Sequence, residues 1–342
     1  MPGKNVPFPP MEAELVRELP EGEWQYEPKW DGFRGVLEND GGELGLWSRN
    51  ERPLLRYLPE LRPLGDLLPP HSALDGEIVI ERDGRLEFDL MQMRLHPAES
   101  RIRKLSAEIP AQFIAFDLLL WKGKPIHELP LEKRRRELEK VAKGFRLSPT
   151  TRDPEVAAGW LDGLDAIGLD GVIAKRLGMP YRPGSREAVA KVKAHKTADC
   201  VVIGVRWKKK PTTLATLLLG LYRDDGDLDY VGSAAVAAGK HDEILKLITP
   251  LLKGAPERGF SEPNRWGGGE LEQSALQPEL VVEVRFDKVQ GNRFRHGTRL
   301  IRFREEKDPE QCTWREVRQP PRPGDLTVSE LLGQAPRSAK RG

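Results

Sequence analysis

Short strand-like runs separated by tight-turn signals restrict the first quarter of this chain to a fold rich in antiparallel sheet. Residues 33–37, 44–47 and 73–80 are apolar or alternate between apolar and polar side chains, as partly buried strands do. Asp40-Gly41 and Asp83-Gly84 each sit between two such runs, and Asp-Gly is a common hairpin turn. We therefore predict two hairpins in this region.

The next part of the chain alternates strands with helices. The predicted elements are strands over 112–121, 171–175 and 188–193 and helices over 131–143 and 154–167. Asp153 precedes the second helix and is predicted to be its N-cap. One acid, Asp117, interrupts an otherwise apolar and aromatic strand. The helices are rich in charged residues, which predicts that they lie outside the sheet.

The remaining sequence predicts a second, smaller domain. Its predicted elements are strands over 200–207, 214–222, 228–233, 280–286 and 298–304 and one helix over 241–252. Five strands and one helix suit a small barrel of the OB type. The prediction is thus an α+β protein with a first domain over 1–196, an OB-fold domain over 197–318 and a flexible C-terminal tail over 319–342, in which residues 328–332 form one helical turn.

Composition excludes several classes of protein. The length of 342 residues fits two domains. Lys and Arg number 55 against 53 Asp and Glu, so a nucleic-acid partner must be held by local patches and not by net charge. Cys200 and Cys312 stand apart from each other and from metal-ligand spacing, which argues against zinc and disulfide scaffolds. No apolar run is long enough for a membrane span, and no secretory signal is visible, so we expect a cytoplasmic protein.

The sequence lacks the common phosphate-binding loops. GxxxxGK[ST], GxGxxG and GxSxG are all absent, so side chains would have to bind any phosphate. The segment from Glu27 to Arg34 (EPKWDGFR) instead places a lysine, Lys29, directly after a predicted strand, among charged neighbours. A lysine acts as a covalent nucleophile when burial or nearby cations lower the pKa of its amine. Lys29 is therefore the candidate nucleophile.

Further charged residues occur on or beside predicted strands. Lys191 and Lys193 alternate with an apolar residue, so both side chains face the same way. Carboxylates at Glu77, Asp117 and Asp170 stand on or beside predicted strands, which suits a divalent cation that also contacts substrate phosphates. Each feature also has a simpler explanation, since a solvated strand edge carries lysines and a turn carries Asp-Gly.

The order of these motifs is more specific than any one of them. The motifs are Lys29 to Arg34, Ser48-Arg49-Asn50, Asp75-Gly76-Glu77, Phe116-Asp117, Asp170 to Lys175 and Lys191-Val192-Lys193. This series resembles the covalent nucleotidyltransferase superfamily of DNA ligases, RNA ligases and mRNA capping enzymes. Within it, the chain is most similar to small bacterial ATP-dependent DNA ligases of the C type, over residues 5–316. The resemblance implies an ATP-grasp-like adenylation domain with antiparallel sheets, followed by the OB-fold barrel.

The resemblance also implies roles for individual residues. Lys29 would react with ATP to form a lysyl-AMP intermediate. AMP would then pass to the 5′-phosphate of a nick, and the 3′-hydroxyl would displace the AMP. The residues implied to bind the nucleotide are Glu27, Arg34, Arg49, Glu77, Phe116, Arg186, Lys191, Lys193 and, in the second domain, Lys307. Glu27 would meet the adenine amine and Phe116 the adenine ring. Glu77 would contact the ribose, Arg34 the ribose or the adjoining phosphate, and Lys191 and Lys193 the α-phosphate.

A metal and DNA complete the implied site. Glu77 and Asp170 would bind Mg²⁺ or Mn²⁺, although the family more often has glutamate at the position of Asp170. Glu306 likewise stands where the last family motif usually has aspartate. Arg49 and the basic run Lys208, Lys209 and Lys210 would contact nicked double-stranded DNA. The expected setting is repair by a monomer in the bacterial nucleoid, alongside DNA end-binding or gap-filling proteins.

Two other functions fit the same motifs. An RNA ligase or capping guanylyltransferase shares the lysine motif and the two-domain plan, and the labelling nucleotide, ATP or GTP, would identify a capping enzyme. A non-catalytic OB protein that binds nucleic acid is the second alternative. The presence of Lys29, Glu77, Lys191 and Lys193 favours an enzyme over this second alternative.

Overall fold

The computed structural model describes residues 2–169, 171–193, 196–208, 213–252, 273–295, 297–318 and 327–333. The chain forms two compact units. Unit 1 comprises Met1–Ala194 together with Pro321–Gly342, and unit 2 comprises His195–Pro320. In the described residues, no helix is long and apolar enough to cross a membrane.

Unit 1 is built mainly from strands. They are β1 Glu14–Val16, β2 Trp24–Pro28, β3 Phe33–Asn39, β4 Leu44–Ser48, β5 Ser72–Arg82, β6 Arg85–Leu86, β7 Ala111–Trp121, β8 Lys124–Pro125, β9 Arg146–Leu147, β10 Gly171–Arg176 and β11 Val189–Lys193. The α-helices before unit 2 are α1 Phe88–Met93, α2 Glu99–Glu108, α3 Leu131–Val141 and α4 Pro154–Gly163. Short 3-10 helices cover Leu55–Tyr57, Pro59–Asp66, Ile126–Glu128 and Leu164–Ile167.

These strands form two sheets. Sheet A has the order β1-β11-β10-β2, and sheet B has the order β4-β3-β5-β7-β8, with β6 and β9 paired to its β5 and β7. Most neighbours are antiparallel, as predicted, while β1 runs parallel to β11 and β9 parallel to β7. Asp40-Gly41 joins β3 to β4 and Asp83-Gly84 joins β5 to β6, so both predicted hairpins are confirmed.

The helices of unit 1 match the sequence patterns in part. Both predicted helices are present, and the side chain of Asp153 accepts a hydrogen bond from the backbone of Glu155, which confirms the N-cap. The second helix is shorter than predicted, since its last turn, Leu164–Ile167, is a 3-10 helix. Helix α2 was not predicted, although it buries Ile102 and Leu105 on one face.

Unit 2 contains eight strands and two α-helices in its described part. They are β12 Lys196–Trp207, β13 Leu214–Tyr222, β14 Leu228–Ala235, β15 Gln273–Ala275, β16 Val281–Phe286, β17 Val289–Gln290, β18 Arg293–Phe294, β19 Thr298–Phe303, α5 His241–Leu252 and α6 Trp314–Val317, with 3-10 turns at Ala238–Lys240 and Pro309–Gln311. The main sheet has the order β13-β14-β19-β16-β12-β15, and β12 also pairs with β13. The pairing order therefore returns to its first strand and surrounds an apolar core.

The helical turn predicted over residues 328–332 of the C-terminal tail is confirmed, but it packs into unit 1, and residues 319–326 and 334–342 lie outside the described residues. Residues 328–333 form helix α7 (Val328–Gly333) in unit 1, where Val328 and Leu331 are completely buried. The backbone N–H of Val328 donates to the carbonyl of Gly84, and Ser329 donates to Glu81. Apolar residues three apart on one helical face explain this packing, which the Pro and Gly content around them obscured. The first unit also includes this segment, and strand β12 begins at Lys196, so the divisions differ from the predicted ones.

Candidate active site

A cavity of unit 1 lies between side chains of sheets A and B. Five residues predicted to act on the nucleotide line it, namely Glu27, Lys29, Arg34, Glu77 and Phe116. Other lining residues were not assigned to the site from sequence, and they include Met11, Trp30, Asp75, Lys175 and Tyr181. The cavity therefore brings together the lysine motif and three of the later motifs, as the resemblance implies.

Lys29 directly follows β2, and close backbone packing fixes its position. Its backbone N–H donates to the carbonyl of Gly171 at 2.8 Å, which ties it to the start of β10. Three residues later, a Cβ atom on Gly32 would lie 2.0 Å from the carbonyl oxygen of Ile78, so only glycine fits there. The N–H of Gly32 donates to Glu77 at 3.2 Å. The turn after Lys29 is thus packed against the strand that carries Glu77.

Arg34, Asp75 and Glu77 share one face of sheet B. Arg34 stands opposite Glu77 in the β3–β5 register, and Asp75 is two residues before Glu77 on β5. Arg34 donates from Nε to Oδ1 of Asp75 at 3.0 Å and from Nη2 to Oδ2 at 2.6 Å. Burial lowers the pKa of Arg34, but Asp75, Tyr181 and Glu77 together raise it by more, so the guanidinium stays charged. A bidentate ion pair with the buried carboxylate of Asp75 therefore holds Arg34.

The carboxyl group of Glu77 on this face has a strongly raised pKa. Burial raises the pKa of Glu77 to about 8, against the opposing effects of Lys29 and Arg34. Asp31 and Asp75 raise it further because their negative charges disfavour another one nearby. In the ligand-free protein, Glu77 is therefore mostly protonated at neutral pH. A cation added near it would favour the charged form.

A second ion pair lies on the sheet A side of the cavity. Lys175 on β10 pairs with Glu27 on β2, and both side chains are buried. The Nζ atom of Lys175 also donates to the backbone carbonyl of Phe116 at 3.3 Å. The Phe116 ring thus lies near two cations, with Lys175 Nζ at 4.6 Å and Arg34 Cζ at 5.4 Å from its centroid.

Lys191 and Lys193 lie side by side on β11, with their side chains half-buried, as the alternating pattern predicted. Burial lowers the pKa of Lys191, and the charges of Lys29, Lys193 and Arg186 lower it further. These four side chains are therefore close enough to repel one another electrostatically. Such a group of cations beside a lysine nucleophile suits an anionic ligand.

Arg186 and Arg49 have a different relation to the cavity. Arg186 donates to Glu12 at 2.7 Å, and Glu12 itself lines the cavity. This hydrogen bond, the charge of Arg186 and a weaker effect of Arg49 lower the pKa of Glu12. Neither arginine lines the cavity, and both are exposed. They form a cationic surface near Glu12, where a phosphate can approach from solvent.

The predicted residues of unit 2 form their own ion-pair network. Lys307 donates to Asp199 at 3.0 Å and to Glu316 at 2.9 Å, which raises the pKa of its ammonium against the effect of burial. Arg304 binds both oxygens of Asp199 at 3.1 Å and also donates to Glu306. Glu306, which stands where the family usually has aspartate, thus accepts a hydrogen bond from Arg304.

Of the predicted DNA-binding lysines, Lys208 lies in the described part of the chain. Lys208 is exposed at the end of β12, and its N–H donates to the carbonyl of Thr213. Asp170, Lys209 and Lys210 lie outside the described residues. In the described part of the chain, no group of three or more His, Cys, Asp or Glu side chains is arranged to hold a metal ion.

Asp117 has a structural partner in place of the cation suggested by its sequence position. Arg134 on α3 donates to its two carboxylate oxygens at 2.8 and 3.0 Å, and both side chains are buried. Burial raises the pKa of Asp117, but Arg134, Lys175 and the backbone N–H of Leu118 together lower it by more, so the carboxylate stays charged. This pair joins helix α3 to strand β7, and Asp117 also lines the cavity.

Sequence reasoning missed Tyr181, which is buried in the loop between β10 and β11. Its hydroxyl donates to Asp75 at 2.6 Å and accepts from the N–H of Met11 at 2.9 Å. Burial and the charge of Asp75 raise the pKa of Tyr181 well above its usual value, so the hydroxyl keeps its proton. The only local signal was an aromatic residue within a Pro- and Gly-rich loop.

The comparisons with known proteins agree with this site. The family model described as "ATP dependent DNA ligase domain" matches residues 8–193, and "ATP dependent DNA ligase C terminal region" matches 210–307. The chain is 41% identical to DNA ligase C1 of Mycolicibacterium smegmatis over 92% of this chain and 94% of that protein. It is 29% identical to the multifunctional non-homologous end joining protein LigD of Pseudomonas aeruginosa, over 84% of this chain and 34% of that protein.

Among solved structures, a Lig E DNA ligase matches 86% of this chain and 100% of its own, with a TM-score of 0.51 and 15% identity, which shows a shared fold. A lysine at a strand end, a carboxylate and further lysines lie together in unit 1, an arrangement that fits the site of a nucleotidyltransferase. The family matches narrow the class further. The chain belongs to the ATP-dependent DNA ligases.

Proposed function

We propose that this protein is an ATP-dependent DNA ligase that seals nicks through a lysyl-AMP intermediate. The observation that carries the proposal is the position of Lys29 in a cavity with Glu77, beside Lys191 and Lys193, in a chain of this family. The unprotonated amine of Lys29 attacks the α-phosphorus of ATP. A phosphorus–nitrogen bond forms, and the bond to pyrophosphate breaks.

The two later steps consume this intermediate. An oxygen of the nick's 5′-phosphate attacks the adenylyl phosphorus, which breaks the phosphorus–nitrogen bond and returns the amine to Lys29. The 3′-hydroxyl then attacks the 5′-phosphate, a phosphodiester bond forms, and AMP leaves. The protein's part is to position the phosphates and to stabilise the charge that develops on them.

The proposal gives each of these residues a distinct role in the reaction. Phe116 stacks on adenine, and the carboxylate of Glu27, which Lys175 holds in place, accepts from the adenine amine. Glu77 and Arg34 contact the ribose, while Lys191 and Lys193 bind the α-phosphate. Most donors of Arg34 already bind protein atoms, which limits it to a single contact with the nucleotide.

The residues outside the cavity bind phosphates that arrive or leave. Arg49 and Arg186 hold the nick 5′-phosphate or the nucleotide, which fits their exposure near Glu12. Lys307 orients pyrophosphate during lysine adenylation, as the resemblance of its motif implies. Its network with Asp199 and Glu316 fixes its ammonium in unit 2.

A divalent cation, Mg²⁺ or Mn²⁺, is part of the proposal. Glu77 fits such an ion because its carboxylate is held in the protonated form by burial and becomes charged when a cation offsets the penalty. Asp170 is the second proposed ligand. When bound, the ion neutralises charge on the phosphate oxygens of ATP.

Nicked double-stranded DNA is the proposed partner, and Arg49 and Lys208 to Lys210 are proposed to contact it. The strand order of unit 2, in which β12 pairs with both β16 and β13, supports a barrel of the OB type, a fold that often binds nucleic acid. Similarity to a protein named for non-homologous end joining supports a role in repair beside end-binding or gap-filling proteins. Such a role would place the protein with the bacterial nucleoid.

Labelling with α-labelled ATP or GTP and Mg²⁺, followed by denaturing electrophoresis, tests the reaction. We expect label from ATP alone, its loss in Lys29→Ala, and its retention in the exposed-lysine control Lys133→Ala. Label from GTP would instead indicate a capping enzyme. A matched pair of nicked duplexes with DNA or RNA strands then separates DNA from RNA ligation, and labelled protein that seals only RNA would contradict the proposal.

A further inference from the structure

Tyr181 joins three segments that line the nucleotide cavity. Its hydroxyl donates to Asp75 on β5, accepts from the backbone of Met11, and accepts from Nη2 of Arg34 at 3.3 Å. A tyrosine hydroxyl offers one donor and two acceptor positions, so these three contacts use all of them. The side chain is only 3% exposed, and water does not replace these partners easily.

The same hydroxyl fixes one wall of the cavity. The N-terminal segment around Met11 runs beside the loop that contains Tyr181, and backbone hydrogen bonds join them at Gly184 to Pro9 and at Glu12 to Ser185. Met11, Glu12 and Ala13 line the cavity. The bond from the Met11 N–H to the Tyr181 hydroxyl links this wall to Asp75 on sheet B, and Arg34 provides a second link because it binds both Met11 and Asp75.

Arg34 has little freedom once this network is formed. A guanidinium carries five N–H donors. Nε and Nη2 donate to Asp75, Nη1 donates to the carbonyl of Met11 at 2.5 Å, and Nη2 also donates to Tyr181. One donor, on Nη1, is left for a ligand. Its direction is set by the partners that hold the other four.

We infer that Tyr181 is a positioning residue for nucleotide binding, which acts through Arg34 and the Met11 segment. This inference rests on the proposed function and adds a residue to it. Tyr181 directs the remaining N–H of Arg34 into the cavity and holds the wall formed by residues 11–13 at a fixed distance from Asp75. Without the hydroxyl, Met11 loses its acceptor, and Arg34 gains alternative orientations.

Single-turnover adenylation of Lys29 at varied ATP concentration tests this inference with Tyr181→Phe. We expect the ATP concentration for half-maximal rate to rise about tenfold, while the rate at saturating ATP changes less than about threefold. Tyr26→Phe is the matched control, because Tyr26 is also buried and its hydroxyl donates to the carbonyl of Pro20, outside the cavity lining. That variant is expected to keep the half-saturating concentration of the wild type.

A double-mutant cycle separates positioning from a general loss of structure. In an Arg34→Gln background, Tyr181→Phe is expected to have a smaller effect on half-saturation than in the wild type, because one of the two groups it acts through is absent. Additive effects, or an unchanged half-saturation in Tyr181→Phe alone, would overturn the inference. If Tyr181→Phe does not unfold cooperatively, Asp75→Asn is measured in its place. The ATP concentration for half-maximal rate is again expected to rise, and an unchanged value would overturn the inference. Failure of the wild type to label with ATP would count against the proposed function instead.

Discussion

Lys175 lies over the ring of Phe116, with its Nζ atom 4.6 Å from the ring centroid. The same ammonium pairs with Glu27, so one buried cation contacts two residues proposed to recognise adenine. This arrangement fixes the ring and the carboxylate relative to each other before the nucleotide binds. Preorganisation of this kind lowers the entropy cost of binding.

Replacing Phe116 tests the proposed stacking on adenine. We expect Phe116→Leu to raise the ATP concentration for half-maximal adenylation by about 10- to 100-fold, because a base–aromatic stack contributes about 1–3 kcal/mol. Phe88→Leu is the control, since Phe88 packs edge-on against Phe33 and does not line the cavity. Equal half-saturating ATP concentrations for the wild type and Phe116→Leu would show that the ring does not stack on adenine.

The Glu27–Lys175 pair predicts a large loss of stability when only one partner is removed. Lys175→Met leaves the buried carboxylate of Glu27 without its cation, and such a change costs about 3–5 kcal/mol. The free energy of unfolding in urea measures the loss. The double variant Glu27→Gln/Lys175→Met is expected to recover part of it, because no unpaired charge remains. A double variant no more stable than the single one would contradict this explanation.

Glu77 predicts a pH dependence of stability in the ligand-free protein. Its folded-state pKa, about 8, lies above the ordinary value of 4.5, so the folded state holds the proton more tightly than the unfolded chain. The resulting stabilisation is full below the ordinary value and is lost as pH rises through 8. Relative to Glu77→Gln, the wild type should lose about 4 kcal/mol between about pH 5 and 8.5.

The measurement is urea unfolding across this pH range, after pyrophosphate has removed any bound adenylyl group. Glu23→Gln serves as the control, because Glu23 is an exposed glutamate of unit 1. It should follow the wild type at each pH. Parallel curves for the wild type and Glu77→Gln would show that Glu77 is not buried in its protonated form.

Helix α7 predicts that unit 1 depends on the C-terminal segment. Leu331 is completely buried among residues that include Val79 and Trp160, so Leu331→Ala should destabilise the protein by about 2–5 kcal/mol. Leu15→Ala is expected to change stability by less than about 0.5 kcal/mol, since Leu15 is 62% exposed. Chemical denaturation of the three proteins compares them. Similar denaturation midpoints for Leu331→Ala and the wild type would show that the packing of α7 does not stabilise unit 1.

The sequence predicted those parts of the fold and site that depend on local signals. Asp-Gly turns identified the hairpins, and the motif around Lys29 identified the cavity's lysine. Tyr181 could not be found in this way, because its partners Asp75 and Met11 are 106 and 170 residues away along the chain. Periodicity shows which face of a strand is buried, but it does not show which distant side chains meet there.

Composition also misled where it conflicted with local helical spacing. The helical turn predicted over 328–332 is confirmed, but the Pro and Gly content after residue 319 predicted a flexible tail around it, whereas Val328 and Leu331 fill positions in the core of unit 1. Asp117 looked like a cation ligand because it interrupts an apolar strand, and the partner that explains it, Arg134, lies on a separate helix. In both cases the deciding contact is tertiary.

Identification of the adenylated residue tests the central claim most directly. The purified protein would be incubated with ATP and Mg²⁺, digested, and analysed by tandem mass spectrometry for a peptide heavier by one adenylyl group. The account predicts a single modified site, Lys29, and loss of the modified peptide after treatment with pyrophosphate or nicked DNA. Modification of another lysine, with Lys29 unmodified, would contradict it.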